Sequence, residues 1–87
     1  MALALRPDEL SDLRAVSAAR VVAAADRVAL AEGYDLSTML VNVSEESDLA
    51  GCWSVTYLPK DTLQRGGDLT VDVRPEDGYV ARTLLGQ

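Results

Sequence analysis

The chain has 87 residues, a net charge of −6, one cysteine and no histidine. A chain this short supports one hydrophobic core, so we expect a single domain over residues 1–87, and its negative charge opposes binding to nucleic acids. The lack of histidine removes the commonest general base and transition-metal ligand, which argues against an enzyme.

An alanine-rich segment at 7–32 predicts a long N-terminal helix that stops at Gly33. A helix of this length spans about 39 Å, whereas a strand of six residues spans only about 20 Å. Either the first turns bend away from the sheet near Arg14, or they contact another subunit or another protein through Leu10, Leu13 and Val16. Wound at 100° per residue, the helix has one apolar stripe that we expect to be buried. Its members are Leu10, Leu13, Val21, Ala24, Ala25, Val28 and Ala29.

Later segments alternate apolar and polar residues, which predicts β-strands at 38–44, 52–58 and 69–73. A weaker returning strand is expected at 79–85, after a turn that ends at Gly78. We therefore predict the α+β class, with one long N-terminal helix packed on a three- to four-stranded antiparallel β-meander. The apolar sides of the strands should face the helix. They carry Met39, Val41, Val43, Trp53, Val55, Tyr57, Leu69, Val71 and Val73.

The loop between the first two strands is crowded with carboxylates, at Glu45, Glu46 and Asp48. It is a solvated loop, a docking surface for basic side chains, or a calcium site, although the alternating ligand spacing of calcium loops is absent. In the docking interpretation, Asp61 and Arg65 contribute from the loop before the third strand.

No residue pattern predicts catalysis. Cys52 has no imidazole nearby to act as its base, so we interpret it as a small apolar filler. Gly66 and Gly67 lead into a strand rather than a helix, which excludes a phosphate-binding loop. We predict a non-enzymatic protein with no metal and no cofactor.

Four segments carry a family resemblance: the alanine-rich helix, Cys-Trp-Ser-Val-Thr-Tyr-Leu-Pro-Lys at 52–60, Gly-Gly-Asp-Leu-Thr-Val-Asp-Val at 66–73, and Glu-Asp-Gly-Tyr-Val at 76–80. From Ala15 to about Val80 the chain resembles small bacterial domains of the cystatin-like or nuclear-transport-factor-like fold. It is similar in particular to short immunity proteins of that fold, with PepSY-type inhibitory modules as a second relative. The resemblance implies a protein that binds and restrains a toxin or a hydrolase.

The leading hypothesis is a protein-binding or inhibitory module whose acidic loop and outer sheet face dock on a basic partner protein. The alternative is a structural homodimer, built on the spare length of the helix or on an open sheet edge with Leu40 and Leu58. The first residues lack the features of a secretory signal, and no run approaches the ~20 apolar residues of a membrane span. We therefore expect a cytoplasmic protein that does not bind membranes.

Overall fold

The computed structural model describes residues 7–60 and 67–86, with side chains from residue 12 onward. Helix α1 (Pro7–Ala31) comes first, and a short 3-10 turn (Leu36–Thr38) follows it. Four strands complete the chain: β1 (Met39–Ser44), β2 (Trp53–Pro59), β3 (Leu69–Val73) and β4 (Val80–Leu85). They form one antiparallel sheet in the order β1-β2-β3-β4. The predicted α+β class and the meander are confirmed.

Helix α1 ends at Ala31, one residue before the predicted end at Glu32, and Gly33 follows as the predicted stop. This glycine has a φ of +87°, in the left-handed region that favours glycine. Its N–H donates to the carbonyl of Leu30, and the N–H of Tyr34 donates to that of Ala29 at 3.0 Å. This Schellman arrangement satisfies the last helical carbonyls and turns the chain back toward the sheet.

The core lies between the alanine-rich side of α1 and the two central strands, β2 and β3. From the helix, Val21, Ala24, Ala25 and Ala29 are buried. Because alanine is small, the helix backbone approaches the sheet closely, and the larger strand side chains fill the space. The strands contribute the buried side chains of Met39, Val55, Tyr57, Leu69, Val71 and Val73, with Trp53 packed against them at partial exposure. The predicted packing is confirmed for these residues.

The expected burial of Leu13, Val41 and Val43 is wrong, since these side chains are 51%, 42% and 44% exposed. A helix about 10 Å across covers roughly two strands spaced 4.8 Å apart. Helix α1 lies over β2 and β3, so the helix-facing side of β1 is left largely uncovered. The helix is continuous through Arg14, and Val16 beyond it is also exposed. The prediction for Leu10 falls outside the described side chains.

Candidate protein-binding surface

The predicted acidic loop joins β1 to β2 and is exposed. Glu45 lies 3.8 Å from the guanidinium of Arg14 on the helix, and Asp48 lies 4.0 Å from that of Arg82 on β4. Both contacts are long and solvated, so each contributes little to stability. Glu46 forms no ion pair with any residue in the described part of the chain. The three carboxylates thus share one exposed loop beside the end of β1, with Glu45 directed toward the helix and Asp48 toward β4.

The other two predicted partner-binding residues, Asp61 and Arg65, lie outside the described residues. Lys60, the last described residue before them, donates from its ammonium nitrogen to the carbonyl of Ser37 at 3.0 Å. Its backbone N–H also donates to the carbonyl of Thr38 at 2.9 Å. A positive charge therefore lies at the start of β1, at the opposite end of this strand from the acidic loop.

A buried ion pair anchors the acidic loop to the outer face of the sheet, the face away from α1. Asp72 is only 1% exposed, although its place on the polar side of β3 suggests a solvated residue. The hydroxyl of Ser47 donates to one of its carboxylate oxygens at 2.6 Å, and Nε of Arg82 donates to the other at 2.8 Å. Sequence reasoning missed this pair. The signal that could have found it is the β3–β4 hairpin register, which places Asp72 opposite Arg82.

The anchored loop borders an open hollow of about 420 Å³ on the outer face. Its walls are mostly hydroxyl and charged side chains, from Ser44, Glu46, Ser47, Asp48, Ser54, Thr70, Asp72, Arg82 and Leu84. Every buried side-chain polar atom of the described residues has a hydrogen-bond partner. Among these residues, no three acidic or thiol side chains are arranged to hold a metal ion. The two carboxylate oxygens of Asp72 instead accept the hydrogen bonds from Ser47 and Arg82 that hold the loop.

Two side chains of a reactive type, Cys52 and Tyr57, lie in the core. Cys52 is 8% exposed. The hydroxyl of Tyr57 donates to the carboxylate of Asp26 at 2.5 Å. Burial, followed by the neighbouring carboxylate, raises the pKa of Tyr57 above its ordinary value. This hydroxyl stays protonated and links the helix to β2.

Strand β1 exposes apolar side chains on both of its faces. Leu40 on the outer face is 54% exposed, and Val41 and Val43 face the helix side at 42% and 44%. The strand Met39–Ser44 contains no charged residue and no proline, which are the usual devices that keep a sheet edge from pairing with another chain. The other edge strand, β4, carries Arg82 and pairs with β3 through an irregularity at Asp72/Val73. Strand β4 also exposes apolar side chains, Leu84 at 45% and Leu85 at 58%, so the two edges differ in charge and regularity, and β1 is the uncharged, regular one.

No protein family, no curated protein and no solved structure compared with this chain matches it. Within the described residues, no helix combines the length and the apolar character needed to cross a membrane. The fold and the geometry of its surfaces are therefore the basis for a functional proposal.

Proposed function

We propose that this chain is a non-catalytic protein-binding domain whose interface is the edge of β1 together with the acidic loop that follows it. This β1 surface consists of Leu40, Val41, Val43, Glu45, Glu46 and Asp48. The observation that carries the proposal is the exposure of apolar side chains on both faces of an uncharged edge strand, next to three exposed carboxylates.

The apolar part of the β1 surface supplies affinity. An edge strand presents a row of backbone N–H and C=O groups that an extended segment of a partner can pair with. The exposed side chains of Leu40, Val41 and Val43 add apolar surface that is removed from water when such a segment pairs. Six residues of edge are enough for a partner strand of ordinary length.

The acidic part supplies selectivity. Carboxylates at Glu45, Glu46 and Asp48 favour a partner that carries lysine or arginine beside its pairing segment, and they raise the rate of encounter with it. The net charge of −6 extends the same preference over the whole molecule. In the inhibitory or immunity-type form of this proposal, the partner is a basic toxin or hydrolase that the domain restrains.

A non-catalytic role agrees with the chemistry available. The chain has no histidine. Of the described groups that could take part in catalysis, Asp72 is held by two hydrogen bonds, Tyr57 is bonded to Asp26, and Cys52 is buried. A homodimer is the second candidate function, favoured by the uncharged edge of β1, which a copy of the same strand can approach without like-charge repulsion.

The test is affinity capture from the native host with three forms of the protein, at low and at high salt. The variant Glu45→Gln/Glu46→Gln removes two of the three carboxylate charges of the β1 surface and leaves Asp48 unchanged. The control Glu32→Gln/Glu76→Gln removes two exposed charges elsewhere. We expect a partner that wild type and control retain at low salt, and that the first variant and high salt both lose. Equal capture by both variants would refute the role of the acidic loop.

A second pair of variants tests the strand itself. Val41→Thr/Val43→Thr keeps β-propensity but removes apolar surface, and we expect it to weaken partner capture while leaving the fold intact. If capture is unchanged while the far-ultraviolet circular dichroism matches wild type, the edge of β1 is not the interface.

A further inference from the structure

In β1, the backbone N–H and C=O groups of the odd-numbered residues point toward the open edge of the sheet. The N–H of Lys60 donates to the carbonyl of Thr38, and the register continues from there as Met39 opposite Pro59 and Leu40 opposite Leu58. In antiparallel strands, residues alternate between pairs that exchange hydrogen bonds and pairs that do not. Even-numbered residues of β1 therefore bond β2, and the N–H and C=O groups of Met39, Val41 and Val43 point outward.

We propose that the partner of the β1 surface is a second copy of this chain, whose β1 pairs antiparallel with the first about a two-fold axis at Asn42. This inference rests on the proposed function, because it names the occupant of the same surface. The product is a continuous eight-stranded sheet with one helix from each copy on the same face. A two-fold pairing of this kind is closed, so it stops at the dimer.

Side-chain matching selects this register. Only registers that place odd-numbered residues opposite odd-numbered ones satisfy the outward backbone groups. With Asn42 on the axis, Val41 of each copy lies opposite Val43 of the other, and the two Asn42 amides meet, each able to donate and accept. Two neighbouring registers are also permitted. With Val41 on the axis, Asn42 lies against Leu40, and Val43 against Met39, which is already buried. With Val43 on the axis, Val41 lies against the carboxylate residue Glu45. The register centred on Asn42 is therefore the better match.

Charge complementarity supports the same pairing. Antiparallel pairing about Asn42 brings Glu46 of one copy opposite Thr38 of the other. Lys60 lies beside Thr38 on its β2 side and holds its ammonium group at Ser37. Its backbone and that of Glu46 in the other copy are therefore about two strand spacings, ~10 Å, apart, a distance that two long side chains can span across Thr38. The two acidic loops lie at opposite ends of the paired strands and do not face each other. Each end of the paired strands thus carries one such attraction at the rim, which offsets part of the repulsion between two acidic chains.

A cysteine at the axis tests this geometry directly. In Asn42→Cys, the two thiols occupy a pair without mutual backbone bonds, where Cα atoms are about 4.5 Å apart, within the range that a disulfide spans. In the control Leu40→Cys the thiol is exposed on the same face, but in the proposed dimer its counterpart is about 14 Å away. The native Cys52 is buried, so wild type is the control for disulfides formed without an introduced thiol. We expect Asn42→Cys to oxidise to a disulfide dimer much faster than Leu40→Cys, and wild type to form none.

A charge exchange tests the rim. Glu46→Lys and Lys60→Glu should each weaken self-association about tenfold, because each change breaks two symmetry-related surface pairs. The double variant restores both pairs with reversed sign and should recover most of the affinity. Sedimentation equilibrium over the micromolar range gives the dissociation constants, and circular dichroism checks that each variant is folded.

A protein that remains monomeric through this range, with Asn42→Cys cross-linking no faster than Leu40→Cys, overturns the inference. The proposed function is judged separately by host capture with the Glu45→Gln/Glu46→Gln variant. Loss of capture in that variant, together with a monomer, means that the β1 surface binds a different protein. A dimer in which the charge exchange brings no recovery refutes the register centred on Asn42.

Discussion

Replacing Arg82 by methionine tests the buried ion pair that anchors the acidic loop. Methionine keeps an unbranched side chain but removes the guanidinium, so the 1% exposed carboxylate of Asp72 retains only the hydroxyl of Ser47 as a side-chain donor. Breaking a fully buried ion pair costs about 3–5 kcal/mol. The side chain of Arg82 is 33% exposed, which screens part of the interaction, so we expect a loss of about 2–3 kcal/mol.

A loss of this size is large for a domain of 87 residues. The free energy of unfolding of such a chain is about 4–13 kcal/mol. Its unfolding entropy of about 0.18 kcal/mol per degree converts a loss of 2 kcal/mol into a fall in Tm of about 11 °C. Thermal melts by circular dichroism and urea titrations followed by the fluorescence of Trp53 would measure both quantities.

The ion pair also predicts an asymmetry between its two members. Asp72→Asn removes the buried charge and leaves Arg82, which water reaches, so it should cost less than Arg82→Met. Adding Asp72→Asn to Arg82→Met should recover much of the lost stability, since no buried charge is then left without its cation. A loss below about 0.5 kcal/mol in Arg82→Met, or a double variant no more stable than Arg82→Met alone, would refute the reasoning.

Three further changes have definite expected outcomes. Tyr57→Phe loses the hydrogen bond to Asp26 and should lower the free energy of unfolding, measured in urea, by about 1–2 kcal/mol. Because folding raises the pKa of Tyr57, the stabilisation by this hydroxyl is present below pH 10 and declines as pH rises above that value. Arg74→Ala removes the hydrogen bond that chiefly lowers the pKa of Asp77, so nuclear magnetic resonance titration should show this pKa rising toward 3.8. In wild type, the ionised carboxylate of Asp77 stabilises the fold above pH 3.8, and this stabilisation is lost as the pH falls. Gly78→Ala forces a φ of +74° on a residue with a side chain and should lower stability by about 1–2 kcal/mol in thermal or urea unfolding.

Gly51→Ala is the matched control for Gly78→Ala. Both glycines have positive φ, +80° and +74°, but an added Cβ at Gly51 meets nothing within 4 Å. At Gly78 it would lie 3.2 Å from Cγ of Arg20, whose guanidinium donates to the carbonyls of Pro75 and Glu76. The substitution at Gly78 should therefore be the more damaging of the two. Equal losses would show that the contact with Arg20 adds nothing to the backbone strain.

The fold could be predicted from the sequence because its signals are local. The helix has alanine-rich periodicity and a glycine stop at Gly33. Strand β3 alternates strictly between apolar and polar residues, and β2 does so from Trp53 to Tyr57. These patterns report which face of an element is apolar. The burial of Val55, Val71 and Ala25 follows directly, because these residues lie where the helix crosses the centre of the sheet.

The errors arose where burial depends on the width of the opposing layer. Val41 and Val43 alternate as regularly as Val71 and Val73, yet the first pair is exposed and the second is buried. The difference lies in which strands the single helix covers, and no periodicity within β1 encodes it. The error at Asp72 is the converse one, since a residue expected to be solvated is buried. Ser47, on a loop 25 positions away, and the cross-strand neighbour Arg82 cover it.

One helix on four strands leaves an edge that the fold itself cannot cover. Three strand spacings amount to about 14 Å, wider than the helix. At β4 the helix-facing side is also left uncovered, and Leu85 there is 58% exposed. That strand nevertheless carries a charge, since Arg82 binds Asp72 on the outer face. At β1 valines remain at the helix-facing positions, where threonine would have kept strand propensity with less apolar exposure. That choice of residues is costly in a monomer and useful in an interface, so the composition of β1 is itself an argument for a bound strand.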